Sequence, residues 1–294
     1  DGYAFTVYQH DASDPRSIAN DIARIVTVDS QGRVWIGTRD GLSYYDEEKD
    51  RFRNYFYTKN GRNLQVTGIA ELSPTHLLIS TSEGLLVFDI NESRFHDDYM
   101  GVTIHKLMAS TIIRQGDEIY IGTMTDGVYV YSISLGTLEK MTAIQTYKQI
   151  MAILLQSPTR LWVATEGAGL YLVNPKTKEV TNYCHDPSDP RSISSNYIRS
   201  FAVDSQNRIW IGTFNDLCIY HEGNDSFVSY TSNPVESGSL SQPSVRSIFM
   251  DSQGGMWLGT YFGGLNYYHP LKNRFKNIRH IPYQNSLSDN VVNC

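Results

Sequence analysis

The chain has 294 residues, 40% of them apolar and 19% charged, a balance that suits a globular protein with a substantial buried core. A formal net charge of −6 argues against nucleic acid as a partner, because a phosphate backbone calls for a basic face. No apolar run approaches the roughly 20 residues of a membrane helix and no signal-peptide pattern is seen. Three cysteines, Cys184, Cys218 and Cys294, lack Cys-x-x-Cys spacing and fit neither a zinc site nor a disulfide framework.

The 20 Tyr, 11 Phe, 4 Trp and 22 Gly point to many short strands joined by tight turns. Along the chain, Phe5-Thr6-Val7-Tyr8 reads as an isolated strand of the type later seen at Phe227-Val228-Ser229-Tyr230. Then one phrase recurs six times: Trp35-Ile36-Gly37-Thr38, Leu78-Ile79-Ser80-Thr81, Tyr120-Ile121-Gly122-Thr123, Trp162-Val163-Ala164-Thr165, Trp210-Ile211-Gly212-Thr213 and Trp257-Leu258-Gly259-Thr260. The copies stand 42 to 48 positions apart. Each reads large apolar, apolar, small, Thr, as expected of a strand squeezed between sheets, with a small residue where backbones approach closely.

Before three copies stand Asp29-Ser30-Gln31-Gly32, Asp204-Ser205-Gln206-Asn207 and Asp251-Ser252-Gln253-Gly254. This pattern predicts a hairpin whose last turn residue is left-handed. After each copy comes a turn and another apolar run, Leu42 to Asp46 in the first. A further strand then opens at Phe52, Phe95, Leu138, Val180, Phe227 and Phe275. Each unit therefore holds four strands, a to d. Four antiparallel strands in about 40–45 residues form the blade of a β-propeller. A lone blade has two apolar faces, and stacking buries both.

The expected fold is all-β: a propeller of six complete four-stranded blades, approximately 18–58, 63–100, 103–142, 147–184, 193–231 and 240–279, in a single domain over 1–294. Partial strands lie at both ends, with 286–294 starting a further strand a. The ends are out of phase with the blades, so the chain is expected to be an excised region of a longer protein. A parent propeller of seven blades is one way to complete the partial strands.

Written out, the repeat resembles the two-component regulator propeller family, whose units look like V-x-s-I-x-x-D-x-x-G-x-x-W-I-G-T-x-x-G-L-x-x-Y. Blade 1 matches at Ile25, Asp29, Gly32, Trp35 to Thr38, Gly41-Leu42 and Tyr45; blades 5 and 6 match from Val203 to Thr213 and from Val245 to Leu265. The linker phrases Asp14-Pro15-Arg16-Ser17-Ile18 and Asp189-Pro190-Arg191-Ser192-Ile193 are also typical of it. Blade 5 departs by carrying Asp216 where the turn Gly is expected. The resemblance implies the periplasmic sensor region of a Bacteroidetes hybrid histidine kinase, detecting oligosaccharides and signalling to carbohydrate-utilisation genes. It also implies a neighbouring propeller and β-sandwich on the same parent chain, and a homodimer is a further candidate partner.

In a propeller the d-to-a and b-to-c connections share one face, where ligands usually bind. The b-to-c turns supply Arg39-Asp40, Phe214-Asn215 and Tyr261-Phe262, side chains suited to sugar hydroxyls and ring faces. Arg24, Arg199 and Arg246 each stand eleven residues before a repeated Trp and share one register, so together they are expected to favour an anionic ligand. The repeated Trp residues read as core, and Asp29, Asp204 and Asp251 as turn residues. No cofactor motif, catalytic fingerprint or metal-ligand spacing is evident, and the eight histidines are scattered. A propeller-type lyase or glycosidase and a protein-interaction scaffold are the alternative functions.

Overall fold

The repeated phrase becomes strand b of six four-stranded antiparallel sheets, each ordered a-b-c-d. Residues 6–97, 106–233, 235–236, 238–271, 275–282 and 284–293 are described by the structure, a computed structural model. Strands a run over Ala23–Val28, Val66–Ser73, Ala109–Gln115, Ile150–Ser157, Ile198–Val203 and Val245–Met250. Strands b are Val34–Thr38, His76–Thr81, Glu118–Thr123, Arg160–Thr165, Ile209–Thr213 and Met256–Thr260. Strands c are Leu42–Asp46, Gly84–Asp89, Val128–Ser132, Leu170–Val173, Leu217–His221 and Leu265–Tyr268. Strands d are Arg51–Tyr55, Arg94–His96, Thr137–Lys140, Val180–Tyr183, Ser226–Tyr230 and Phe275–Ile278.

The only helical segments among the described residues are two three-residue 3-10 turns, Glu47–Lys49 and Glu222–Asn224. A small extra hairpin, Thr58–Lys59 with Arg62–Asn63, decorates the linker after blade 1 and was not expected from the sequence. By backbone contacts the chain falls into two compact units, Tyr8–Ile150 and Met151–Cys294 with Asp1–Val7. The first holds blades 1 to 3 and the second blades 4 to 6.

Within each unit the core lies in layers between neighbouring blades. Trp35 and Leu42 of blade 1 pack on Val66, Ile69 and Phe88 of blade 2. Leu78 and Leu85 of blade 2 pack on Ile112 and Ile121 of blade 3. In the second unit Trp162 and Leu170 meet Ile198, Ile211 and Tyr220, and Trp210 and Leu217 meet Val245 and Leu258. Gly212 explains the small third residue of the phrase, since a Cβ there would stand 2.8 Å from the Val245 carbonyl of the next blade.

Three of the four tryptophans are buried as the repeat predicts: Trp35 is 1% exposed, Trp162 0% and Trp210 2%. Each is capped by an aromatic ring of the following blade, Phe88, Tyr220 and Tyr268 respectively. Trp257 departs from the expectation and is only half-buried. It belongs to the last complete blade and packs on Tyr267 of its own strand c.

The Asp of each hairpin does more than shape a turn. Asp29 Oδ1 accepts the backbone N–H of Gln31 and Arg33, while Oδ2 accepts the Trp35 indole N–H at 2.9 Å. Asp204 and Asp251 do the same for Trp210 and Trp257, and Gln156 replaces the Asp for Trp162. The predicted left-handed residues are Gly32, Asn207 and Gly254, at φ 80°, 62° and 80°.

At the amino end, Phe5 lies outside the described residues, and no strand is assigned over residues 6–8, contrary to the strand expected there. Tyr8 nonetheless packs edge-on against Phe52 and donates to Asp50 at 2.6 Å, as Tyr183 packs on Phe227 and donates to Asp225 at 2.6 Å. It thus takes the place that the end of a strand d takes before the next blade. Residues 286–293 likewise form no strand, and Cys294 lies outside the described residues. Still, Val292 N–H donates to Thr260 O, and a Cβ on Gly259 would meet Val292 at 2.6 Å. Gly37 stands in the same relation to Val66, so this segment lies against blade 6 where a following strand a belongs.

Candidate functional site

Strand a is where the repeat leaves room for variation. In blades 1, 2, 3, 5 and 6 its pairing with strand b skips one residue: Arg24, Thr67, Ser110, Arg199 and Arg246. Such a bulge removes a residue from the ladder and re-aims its side chain. Thr67 and Ser110 turn their hydroxyls to neighbours, Ser110 donating to Gly122 O at 3.1 Å. The shared register of the three arginines is therefore a shared bulge.

In blades 5 and 6 the re-aimed guanidinium meets the first residue of its own b-to-c turn. Arg199 lies over Phe214, 5.7 Å from the ring centroid, and Arg246 lies over Tyr261 at 4.6 Å. Backbone bonds fix these turns against the start of strand a, Phe214 N–H to Tyr197 O and Tyr261 N–H to Ser244 O. Tyr197 and Phe262 extend the aromatic surface, with ring centroids 6.4 Å from Phe214 and 4.2 Å from Tyr261. All four rings remain substantially exposed.

Glu166 of blade 4 stands 3.8 Å from Arg199 Nη1, a loose ion pair. The buried Arg199 Nε has no hydrogen-bond partner among the described residues. Arg246 donates to Asn293 Oδ1 at 2.6 Å. Glu166 is a b-to-c turn residue of blade 4, whereas Tyr197 and Asn293 were not singled out from the sequence. Asn215 is less available than its turn position suggested, because its amide donates to Ser194 O at 3.3 Å.

Blade 1 carries the same bulge without the stack. Arg39 occupies the position of Phe214 and Tyr261, and a second cation cannot receive Arg24. Both are exposed, and among the described residues neither makes an ion pair or a ring contact. Asp40 accepts the side-chain amide of Asn20 at 2.7 Å. Arg24, Arg39 and Asp40 belong to the first unit, and the other expected site residues to the second.

Asp216, the blade 5 departure, is buried and is not left-handed. Its carboxylate accepts from the hydroxyls of Ser194 and Thr213 and from the Cys218 thiol. In blades 1 and 6 the linker is tied to strand c at the corresponding place, by Ala19 N–H to Ser43 Oγ and Ser241 N–H to Asn266 Oδ1. The Asp216 cluster is blade 5's version of that lock. Burial pushes the Cys218 thiol up to about 11, with the Asp216 charge adding to it, which keeps this sulfur inert.

Burial also raises the Asp216 carboxyl above its ordinary value of 3.8, against the pull of its hydrogen bonds. The folded state therefore holds this proton more tightly, and the associated stability is lost as pH rises through the folded pKa. Asp216→Asn should raise the unfolding midpoint at pH 7, with the advantage shrinking towards pH ~4. Thermal unfolding at both values checks this; an advantage independent of pH would contradict it.

Comparison with known proteins agrees with this architecture. The fold is that of a β-propeller. Residues 192–215 and 239–262 match the two-component regulator propeller family. The chain is 28% identical over 212 residues to histidine kinase P4 of Formosa agariphila, a match covering 67% of this chain and 15% of the relative. The extracellular domain of the hybrid two component system BT3049 from B. thetaiotaomicron superposes with a TM-score of 0.73 at 20% identity, over 93% of this chain and 37% of that one. A virginiamycin B lyase from Staphylococcus aureus with quinupristin shares the fold with a TM-score of 0.63 at 10% identity, over 87% of this chain and 83% of that one. The chain thus spans well under half the length of the two signalling proteins. No helix among the described residues is long and apolar enough to cross a membrane.

Proposed function

We propose that this chain is the periplasmic, non-catalytic ligand-sensing module of a hybrid two-component histidine kinase, and that it detects oligosaccharide fragments bearing negative charge. The observation that carries the reading is the pair of guanidinium–aromatic stacks on adjacent blades, one with an unpartnered buried N–H. Exposed rings suit the apolar faces of sugars, and the guanidinium groups suit a uronate or sulfate. The relatives' signalling context supports the sensor role. A neighbouring propeller, a β-sandwich and a homodimer remain the partners to which such a module would pass a conformational bias. The lyase likeness, at 10% identity, carries the shared fold alone.

Thermal-shift and calorimetric titration of the chain with neutral, uronic and sulfated oligosaccharides tests this. Uronic or sulfated fragments should stabilise it most. Arg199→Lys, which keeps the charge and loses the fork, and Phe214→Ala should each weaken binding about tenfold. Wild-type affinity in both variants would overturn the assignment of the site.

A further inference from the structure

We propose that the outer edge of blade 2 is a zinc site built from Asp89, Glu92 and His96, with His76 beside Asp89. Strand b presents His76, strand c ends on Asp89, the c-to-d turn carries Glu92, and strand d ends on His96. His76 and Asp89 are direct cross-strand partners, and so are Asp89 and Arg94, two residues before His96. Strand periodicity thus puts His76, Asp89 and His96 on one face. The sequence hid this, because the residues come from three strands and a turn.

The separations of Asp89, Glu92 and His96 are those of ligands sharing one ion, and His76 adjoins Asp89. His76 Nε2 is 3.2 Å from Asp89 Oδ2, and His96 Nε2 is 3.4 Å from Glu92 Oε2. Ligand atoms of Asp89, Glu92 and His96 all lie within 4.8 Å of one another. Donors bonded to zinc at about 2.0–2.2 Å stand about 3.3–3.6 Å apart along a tetrahedron's edge. One imidazole with two carboxylates, leaving a position for water, favours zinc over calcium, which prefers six to eight oxygens.

The outer contacts fit as well. Asp89 Oδ1 accepts the backbone N–H groups of Asn91 and Glu92 at 2.8 and 2.9 Å, which leaves Oδ2 for a metal. His76 Nδ1 lies 2.9 Å from Thr75 Oγ1 and 3.2 Å from Ser73 Oγ. His76 thus stands as an outer partner whose Nε2 faces Asp89 Oδ2, the kind of contact that orients a ligating carboxylate. Blades 1 and 5 close the same hairpin differently, on Asp50 and Asp225 with tyrosine donors. Their strands d have five residues, against three in blade 2. A zinc ion would staple this short outer strand to strand c.

The test uses the whole chain, stripped with a chelator and titrated with zinc chloride in competition with a chromophoric chelator. One ion should bind per chain, undisplaced by millimolar calcium. Glu92→Gln and His96→Gln should each weaken binding about tenfold or more, while His221→Gln on blade 5 should not. Zinc should raise the unfolding midpoint of the wild type and not that of the double variant Glu92→Gln/His96→Gln. Glu92 is the most exposed of the four, so its variant tests the site even where a histidine variant fails to fold. The absence of saturable one-to-one binding, or affinity unchanged in Glu92→Gln, would overturn the proposal.

Discussion

Trp210→Ala is expected to cost about 3–5 kcal/mol of stability. Its indole is 2% exposed and lies between blades 5 and 6, with the Tyr268 ring centroid 5.4 Å away. Truncation removes apolar contact and leaves a cavity, because the flanking strands are held by their own ladders and cannot collapse into it. It also deprives the Asp204 carboxylate of a donor. Denaturant unfolding at pH 7 measures the effect, and a loss under about 1 kcal/mol would contradict the placement. Trp257→Ala should cost less, since its ring is half-exposed.

Asp204→Ala should cost about 2–4 kcal/mol at pH 7, although it removes only a small side chain at a hairpin. The carboxylate accepts the backbone N–H groups of Gln206 and Arg208, each at 2.9 Å, the Arg208 Nε–H and the buried Trp210 indole N–H. Without it, the indole donor is left in an apolar layer with no acceptor. Burial opposes the charge on Asp204, but the indole, backbone and guanidinium donors outweigh it and hold the carboxyl below its usual range. Its stabilisation is therefore present above the ordinary carboxylate pKa and lost as pH falls through the folded value. Asp204→Asn should recover part of the loss, because an amide oxygen still accepts. Unfolding from pH 7 to pH 3 should show the gap between wild type and Asp204→Ala closing on acidification, and parallel curves would refute the account.

The blades were legible because strand b has so little freedom. A residue such as Ile211 or Gly212, pressed between two sheets, has its size set by both, and the same size recurs at the same step. The aspartates were legible as turn residues but not as acceptors for the indoles, although Asp29 and Trp35 stand six residues apart as do Asp204 and Trp210. The candidate site was half visible. Arg199 and Arg246 were found by register, and Phe214 and Tyr261 as turn aromatics. Their stacking was missed because a bulge is a property of the backbone and leaves no residue signature. Arg24 was grouped with them on register alone, and blade 1 shows why that is insufficient: Arg39 stands where the ring should be. The Asp89, Glu92 and His96 cluster was missed for a different reason, since a strand end, a turn and a short strand d meet only once the hairpin is folded.

The bulge in strand a also has an evolutionary consequence. It takes one residue out of the ladder at the same step of several blades, and the chain fills that step with Arg, Thr or Ser without altering the pairing on either side. Elsewhere in the repeat, a change of side chain is a change in packing between blades. At the bulge the side chain stands outside the ladder, so new chemistry can be tried there one blade at a time while the strand pairing stays as it is.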